Sequence, residues 1–210
     1  MNMPAVALRG LTILPGMIAH FDISRERSLR AVEEAMEQDQ KIYLVTQRNV
    51  DSEDPTQEDL YQMGIVADIK QVVRLQNDVV RILVDGISRA ALLGFTGNEK
   101  YLEAEICYCD SNADSLPEDL REAMLLGVRE AFHRYAAVVG KISKELIRQI
   151  DQYEDLEKLI DYVTNNLPVS YELKQQVLEA EDINDRYQVI VSLLLSQVEV
   201  ISIKNELQKK

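Results

Sequence analysis

Residues 64–84 have the sequence GIVADIKQVVRLQNDVVRILV and carry the clearest secondary-structure signal in the first half of the chain. Apolar side chains alternate along residues 65–69, which is the pattern of a β-strand with one buried face. Gln-Asn-Asp at 76–78 is typical of a tight turn, and the apolar run at 79–84 follows it. The stretch therefore predicts two antiparallel strands joined by a hairpin.

Strand signals continue on both sides of this hairpin. Asp85-Gly86 is predicted to bend the chain, and Pro15-Gly16 ends an earlier apolar segment at a turn. A short amphipathic helix interrupts the strands, with Ser24 as its predicted N-cap. Six or seven strands with one inserted helix imply a closed or strongly coiled sheet. The remaining predicted strands are 5–14, 18–23, 42–46, 87–95 and 101–108.

The pattern changes from strands to helices after residues 111–115. Pro117 suits the first turn of a helix, and the acidic residues that follow it complement the helix dipole. The sequence therefore predicts an α+β protein with a β-rich domain over residues 1–112 and an α-helical bundle over residues 116–210. Shorter helices are predicted at 142–150, 156–167 and 170–179.

A long helix is predicted to end the chain, with Asp182 as its N-cap. Its apolar side chains recur at alternating spacings of four and three residues, which predicts a heptad seam packed against another helix. Because no Gly or Pro ends the pattern before Lys209, we expect the chain to be part of a longer protein. A natural C-terminus with a polar end is the alternative. From Ile183 onward, the heptad seam consists of Tyr187, Val191, Leu194, Val198 and Ile201.

Charge and composition exclude several classes of protein. The chain has 36 acidic and 23 basic residues, for a net charge of −13, and neither half is basic. Nucleic-acid binding needs Lys and Arg at the phosphates, so no nucleic-acid partner is expected. No apolar run approaches the roughly 18 residues of a membrane span, and Arg9 interrupts the segment where a signal peptide would lie. We therefore expect a cytoplasmic protein without membrane contact.

The sequence lacks the motifs that carry catalysis. Gly140-Lys141 is the nearest approach to a phosphate-binding loop, but an apolar residue follows where Ser or Thr is needed. Ser143 and Lys144 are adjacent, and adjacent side chains on a helix point apart, which does not suit a Ser-Lys dyad. Cys107 and Cys109 have no further ligands at zinc-binding spacing. We expect no catalytic residue, cofactor site or metal site in this chain.

Two surface features remain as candidates for binding other molecules. The first is a turn that is apolar where exposed turns are usually polar, which favours contact with apolar partners. The second is the mixed-charge start of the inserted helix, which is predicted to contact peptides or neighbouring subunits. The alternatives are a turn packed under the barrel and a solvated helix start. The turn contributes Leu14, Pro15, Met17 and Ile18, and the helix start contributes Arg25, Glu26 and Arg27.

Several motifs in combination resemble one known family. Residues 8–17, LRGLTILPGM, resemble the opening signature of the N-terminal domain of Lon, the ATP-dependent serine protease. Residues 24–28, SRERS, are similar to the family's Gly-Arg-Glu-x-Ser element, except that Ser24 replaces the glycine. Residues 84–90, VDGISRA, resemble its Val-x-Gly-x-x-Arg element. The helical half is similar to the segment that leads to the ATPase ring, so the resemblance covers nearly the whole chain.

This resemblance implies a PUA-like β pseudo-barrel followed by a helical bundle. The complete enzyme would continue with an AAA+ module that uses ATP and Mg²⁺ and with a Ser-Lys protease domain, assembled as a homohexamer in the bacterial cytoplasm. The resemblance further implies that this region recognises and holds unfolded or damaged proteins and regulatory substrates. By itself the region would be a monomer or a weak dimer.

Two other hypotheses are compatible with the residues. One is a stand-alone interaction adaptor that uses the same β domain, which a natural stop codon after Lys210 would favour. The other is a small-molecule enzyme with an unrecognised pocket, which predicts turnover or a tightly bound small ligand.

Overall fold

The computed structural model describes residues 1–209, which divide into a β-rich unit over Met1–Cys109 and a helical unit from Asp110 onward. The mixed sheet and the helices confirm the predicted α+β class. The β-rich unit contains β1 (Asn2–Leu8), β2 (Ile18–Ile23), α1 (Glu26–Glu37), β3 (Lys41–Thr46), β4 (Met63–Arg74), β5 (Val80–Phe95) and β6 (Glu103–Tyr108). The helical unit contains α2 (Glu118–Val139), α3 (Lys144–Gln152), α4 (Leu156–Asn165), α5 (Tyr171–Glu179) and α6 (Ile183–Gln208).

The sheet closes on itself because β6 pairs with two strands. The hydrogen-bonded order is β2-β5-β4-β3-β1-β6, and β5 also pairs with β6. Strands β1 and β3 are parallel, whereas the other pairs are antiparallel. Strand β2 therefore lies outside the closed ring as a short edge beside β5. Closure and the inserted helix α1 are as predicted, since closing a sheet removes its free edges.

The predicted hairpin at residues 76–78 joins β4 to β5. The Leu75 amide donates to the Val79 carbonyl at 2.8 Å. Asn77 and Asp78 have φ angles of 60° and 58°, which lie in the left-handed region that Asn and Asp tolerate better than most residues. The turn chemistry of the sequence thus determines this hairpin directly.

The predicted bend at residues 85–86 is wrong, because β5 continues through both residues. The register with β4 shifts beside Gly86 and leaves Ile87 as an extra residue, which is a β-bulge. Gly86 is required for a different reason. A Cβ at this position would lie 2.4 Å from the carbonyl oxygen of Leu14. The glycine therefore marks a close backbone approach within a strand and not a turn.

Alternate side chains of the sheet enter two different apolar cores. In β1, Val6 and Leu8 pack in one core, and Ala5 and Ala7 pack in the other, because successive residues of a strand face opposite sides. The first core also receives the apolar face of α1, and the second contains the buried Tyr43, whose hydroxyl donates to the Ala90 carbonyl at 2.9 Å. Helix α1 contributes Ala31, Val32 and Ala35.

The heptad seam of α6 lies partly on the buried side of that helix. Leu194 is fully buried, and Tyr187 packs on α2, where Gly127 has no side chain and leaves room for the tyrosine hydroxyl. An α-helix has about 3.6 residues per turn, so a heptad row drifts around a straight helix. The most buried line accordingly consists of Ile183, Arg186, Ile190, Leu193 and Leu194, whereas Val191, Val198 and Ile201 are half-buried.

Arg186 is a core residue that the apolar pattern does not predict. Its side chain is 2% exposed. The guanidinium donates to the carbonyl oxygens of Ala180 and Glu181 at 3.0 Å each and to a carboxylate oxygen of Glu157 at 3.1 Å. A buried charge is tolerated when it is paired and hydrogen-bonded in this way. The contacts connect α6 to α4 and to the end of α5.

Helix α6 also meets the length and composition of a membrane span. One 18-residue window has a mean hydropathy of 1.3, and 17% of that window is buried. Ser192, Ser196 and Glu199 interrupt the apolar residues of α6, so the expectation that no continuous apolar run reaches this length stands. A single helix that passes this test is weak evidence for membrane insertion.

We expect Leu194→Asp to unfold the helical unit or to lower its free energy of unfolding by more than about 3 kcal/mol, because a carboxylate would enter the core. Leu195→Asp is the matched control, since Leu195 is the next residue and is 37% exposed. Its free energy of unfolding should change by less than about 1 kcal/mol. Thermal melts followed by circular dichroism compare the two, and similar melts would contradict the buried position of Leu194.

We expect Gly86→Ala to lower the free energy of unfolding by about 2 kcal/mol, because the added Cβ forces the Leu14 carbonyl away from β5. Gly94→Ala in the same strand is the control. Its Cβ would meet no atom of residues 1–209 closer than 3.6 Å, so the change should stay below about 1 kcal/mol. Urea denaturation measures both, and equal midpoints would contradict the close approach.

Candidate functional site

The candidate turn is a well-formed β-turn attached to β5. Gly16 has a φ of +77°, which suits the third position of a type II turn after proline. The Met17 amide donates to the Leu14 carbonyl at 3.1 Å. Two further backbone hydrogen bonds join the turn to Gly86. The Gly16 amide donates to the Gly86 carbonyl at 2.8 Å, and the Gly86 amide donates to the Met17 carbonyl at 2.9 Å. The turn is therefore held at a fixed place beside the bulge of β5.

The side chains of this turn divide between the core and the surface. Leu14 is completely buried, so the alternative of a turn packed under the barrel applies to Leu14. Met17 is half-buried against the first core, and Pro15 is also half-buried. Ile18 is 68% exposed. Of the predicted contact residues in this turn, Ile18 thus presents the most accessible side chain.

A further exposed isoleucine follows the glycine to which the turn is bonded. Ile87 is the extra residue of the β-bulge and is 42% exposed. The sequence does not single out Ile87, because Asp85-Gly86 predicts a bend followed by an ordinary strand. We call Pro15, Met17, Ile18 and Ile87 the apolar tip.

The start of α1 differs from its prediction. Arg25, not Ser24, occupies the N-cap position, and its side chain makes no cap hydrogen bond. The Arg25 guanidinium instead donates to the carbonyl oxygens of Ala7 at 2.8 Å and Glu53 at 3.2 Å. Burial lowers the pKa of Arg25, and the nearby charge of Arg9 lowers it further. Arg25 therefore ties the helix start to β1 and to the loop after β3.

The other two residues of this motif lie on the exposed side of the helix start. Glu26 forms an ion pair with Arg30 one turn along α1. Arg27 donates to the carbonyl oxygens of Asn98 at 3.0 Å and Tyr101 at 3.4 Å. Both arginines of the motif are thus held by neutral backbone oxygens.

These arginines line a cavity of about 530 Å³. Arg9, which the sequence analysis did not select, also lines it and donates to the Ser52 carbonyl at 3.2 Å. No spacing rule connects Arg9 with Arg25 and Arg27, because four separate segments build the cavity. We call this cavity the arginine pocket, and its lining consists of Ala7, Arg9, Arg25, Glu26, Arg27, Ser28, Glu53, Asp54, Pro55 and Leu102.

A buried glutamine shapes the loop that forms one wall of the arginine pocket. Gln47 is fully buried, and its side-chain amide donates to the carbonyl oxygens of Asn49 and Ser52 at 3.0 and 2.9 Å. Further along the loop, Thr56 and Asp59 form a reciprocal capping box. The loop therefore has a defined backbone path, and its carbonyl groups are positioned to accept from Arg9 and Arg25.

The side chains considered for catalysis either make structural hydrogen bonds or lie too far from one another to form a catalytic or metal-binding group. Ser143 is the N-cap of α3 and accepts the Leu146 amide at 3.1 Å. His133 lies 2.7 Å from a carboxylate oxygen of Asp151, and both side chains are largely exposed. Within residues 1–209, no three His, Cys, Asp or Glu side chains come together as a group that could hold a metal ion.

Comparison with known proteins identifies the family. Residues 2–196 match the family described as the ATP-dependent protease La (LON) substrate-binding domain. The chain belongs to this family. The resemblance noted in the sequence motifs is thereby confirmed, and the matched region of the family is its substrate-binding domain.

Curated relatives of this Lon-type region are much longer than the chain itself. The Lon protease of Lachnoclostridium phytofermentans is 36% identical over 209 residues, which cover 100% of this chain and 26% of the relative. The Lon protease of Clostridioides difficile is 34% identical, with 98% of this chain and 27% of the relative covered. The chain thus spans about a quarter of the length of these relatives.

Two solved structures share the fold of the Lon-type region. The N-terminal domain of Mycobacterium avium complex Lon protease has a TM-score of 0.74 at 18% identity, covering 92% of this chain and 98% of that domain. A Lon N-terminal domain protein from Xanthomonas campestris has a TM-score of 0.61 at 13% identity, and the match covers 91% of this chain and 98% of that protein. At these identities the similarity is one of fold.

The two ends of the apolar turn should respond differently to a charge. Leu14→Asp should unfold the β-rich unit, because the carboxylate would be buried without a partner. Ile18→Asp should change the melting temperature by no more than a few degrees, because this side chain is mostly in water. Thermal melts of both variants test the placement, and a large loss of stability in Ile18→Asp would contradict it.

Proposed function

We propose that this Lon-type region binds exposed apolar segments of unfolded or damaged proteins, and of regulatory substrates, through the apolar tip. It holds them for delivery to an ATPase ring and protease chamber formed by the rest of the parent protein. The observation that carries the proposal is an exposed isoleucine, Ile18, on a turn whose backbone is bonded to β5. The membership of the chain in the substrate-binding domain family supports it.

The chemistry of the apolar tip suits a changing set of partners. Ile18 and Ile87 offer aliphatic surface, and the hydrophobic effect is non-directional, so many different sequences gain from the contact. The half-buried Met17 adds an adaptable thioether at the same turn. The bonds to Gly86 order the turn before binding, which reduces the entropy lost on association.

A small patch of this kind binds each segment weakly. In a homohexamer, six copies would raise the apparent affinity through their effective concentration. The isolated region is proposed to be a monomer or a weak dimer in the cytoplasm. Catalysis is proposed to reside in the remainder of an ATP-dependent serine endopeptidase, with ATP and Mg²⁺ bound there.

Ile18→Asp should weaken binding of a labelled, permanently denatured protein by about three- to tenfold, because apolar contact is lost and a carboxylate must be desolvated. Fluorescence anisotropy at high micromolar concentrations of the 210-residue chain measures the binding of the labelled denatured protein. The native form of that labelled protein serves as the comparison. Preference for the denatured form is expected.

Ile203→Asp is the matched control for this experiment. It changes the same residue type at a comparable exposure of 58%, but on α6 in the helical unit. Binding by this variant should equal that of the unchanged chain. Equal weakening by both variants, or no effect of Ile18→Asp, would remove the apolar tip as the binding surface.

A further inference from the structure

The arginine pocket contains positive charge that the surrounding residues do not neutralise by contact. Arg9, Arg25 and Arg27 all donate to backbone carbonyl oxygens. Within residues 1–209, none of these guanidinium groups lies within 4.0 Å of a carboxylate oxygen in an ion pair. In a chain of net charge −13, such a group of unpaired cations needs an explanation.

Two of these cations are held side by side. Arg9 and Arg25 donate to the carbonyl groups of successive residues, Ser52 and Glu53. Burial lowers the pKa of Arg25, and repulsion from the charge of Arg9 lowers it further. Asp54 opposes the shift from a distance. An anion between the two guanidinium groups would relieve the repulsion and use donors that remain free, since each guanidinium has more N–H groups than it uses here.

The N-terminal end of α1 adds to the positive electrostatic potential of the arginine pocket. Helix α1 has 12 residues, and the side chain of its N-cap residue, Arg25, makes no cap hydrogen bond. Glu26, Arg27 and Ser28 of that turn line the arginine pocket. The amide groups and the dipole of a helix N-terminus favour negative charge. In combination with the guanidinium groups, they direct the pocket toward an anionic ligand.

The other residues that line the arginine pocket favour a singly charged anion over a polyanion. Three carboxylates, of Glu26, Glu53 and Asp54, also line the arginine pocket and would repel a polyanion such as a nucleic acid. A singly charged carboxylate can be bound by the arginines alone. Apolar walls formed by Pro55 and Leu102 suit an aliphatic or aromatic group next to that carboxylate. A cavity of about 530 Å³ is in the size range of ordinary small-ligand sites.

We propose that the arginine pocket binds the C-terminal carboxylate of a polypeptide that ends in apolar residues. Arg9 and Arg25 hold the carboxylate, and the last side chain lies against the wall of Pro55 and Leu102. This inference rests on the proposed function, because it supplies a second contact for the same substrates. It adds a directional element, since a free chain end has both the charge and the adjacent apolar group that the pocket accepts.

The test compares two N-terminally labelled decapeptides of identical sequence that end in Val-Leu, one with a free C-terminal carboxylate and one with a C-terminal amide. Fluorescence anisotropy with the 210-residue chain should show at least tenfold tighter binding of the free acid. The free acid should also lose affinity as the salt concentration rises, because its contact is ionic. Equal affinity of the acid and the amide would overturn the inference.

Arginine-to-glutamine variants show which side chains contact the peptide carboxylate. Arg9→Gln should reduce binding of the free acid to the level of the amide, and Arg9 is exposed with one carbonyl contact, so the fold should be kept. Arg25→Gln should do the same, with circular dichroism as a check because Arg25 also ties α1 to two segments. Arg74→Gln is the control, an exposed arginine outside the pocket lining. Weakening by Arg74→Gln equal to that by Arg9→Gln would overturn the inference.

Two further measurements separate the possible outcomes. If 4-methylpentanoate displaces the peptide at concentrations near the peptide's own Kd, the pocket is a site for small organic acids and the polypeptide assignment is overturned. Binding of denatured protein that depends on Ile18 but not on Arg9, together with equal binding of acid and amide peptides, would overturn this inference and leave the proposed function standing. If the unchanged chain binds no denatured protein at all, the result would instead count against the proposed function.

Discussion

The close approach between the Leu14 carbonyl and Gly86 determines the geometry of the β-rich unit around its candidate binding turn. A backbone this near to a strand is possible only where the strand has no side chain, and a Cβ at Gly86 would lie 2.4 Å from the carbonyl oxygen. The two backbone bonds between the turn and Gly86 depend on this contact. The bulge at Ile87 occurs at the same place, where β5 changes register against β4.

This contact also decides which apolar side chains are accessible. Drawing the turn onto β5 places Leu14 inside the barrel and leaves Ile18 in water. The turn therefore combines an anchor and an exposed contact within five residues. Because the anchor is part of the core, the proposed binding at the exposed part requires no large rearrangement of its own backbone.

The β-rich unit presents two surfaces of different chemistry. The apolar tip offers non-directional contact to aliphatic and aromatic groups, whereas the arginine pocket offers charge and hydrogen-bond donors in a shaped cavity. Each suits a different property of an unfolded chain, namely exposed apolar side chains and a free chain end. Both surfaces are built from loops and element ends on a closed sheet, which is the usual arrangement for binding residues on a rigid scaffold.

Those parts of the protein that depend on local chemistry can be predicted from the amino-acid sequence. The turn at residues 76–78, the cap at Asp182 and the family motifs all follow from neighbouring residues. Tertiary structure alone decided that Gly86 is a contact and not a bend, that Leu14 is core, and that Arg9 joins Arg25 in one cavity. The reason is physical: burial and like-charge proximity depend on segments far apart in the chain, and no local pattern encodes which distant backbone will approach.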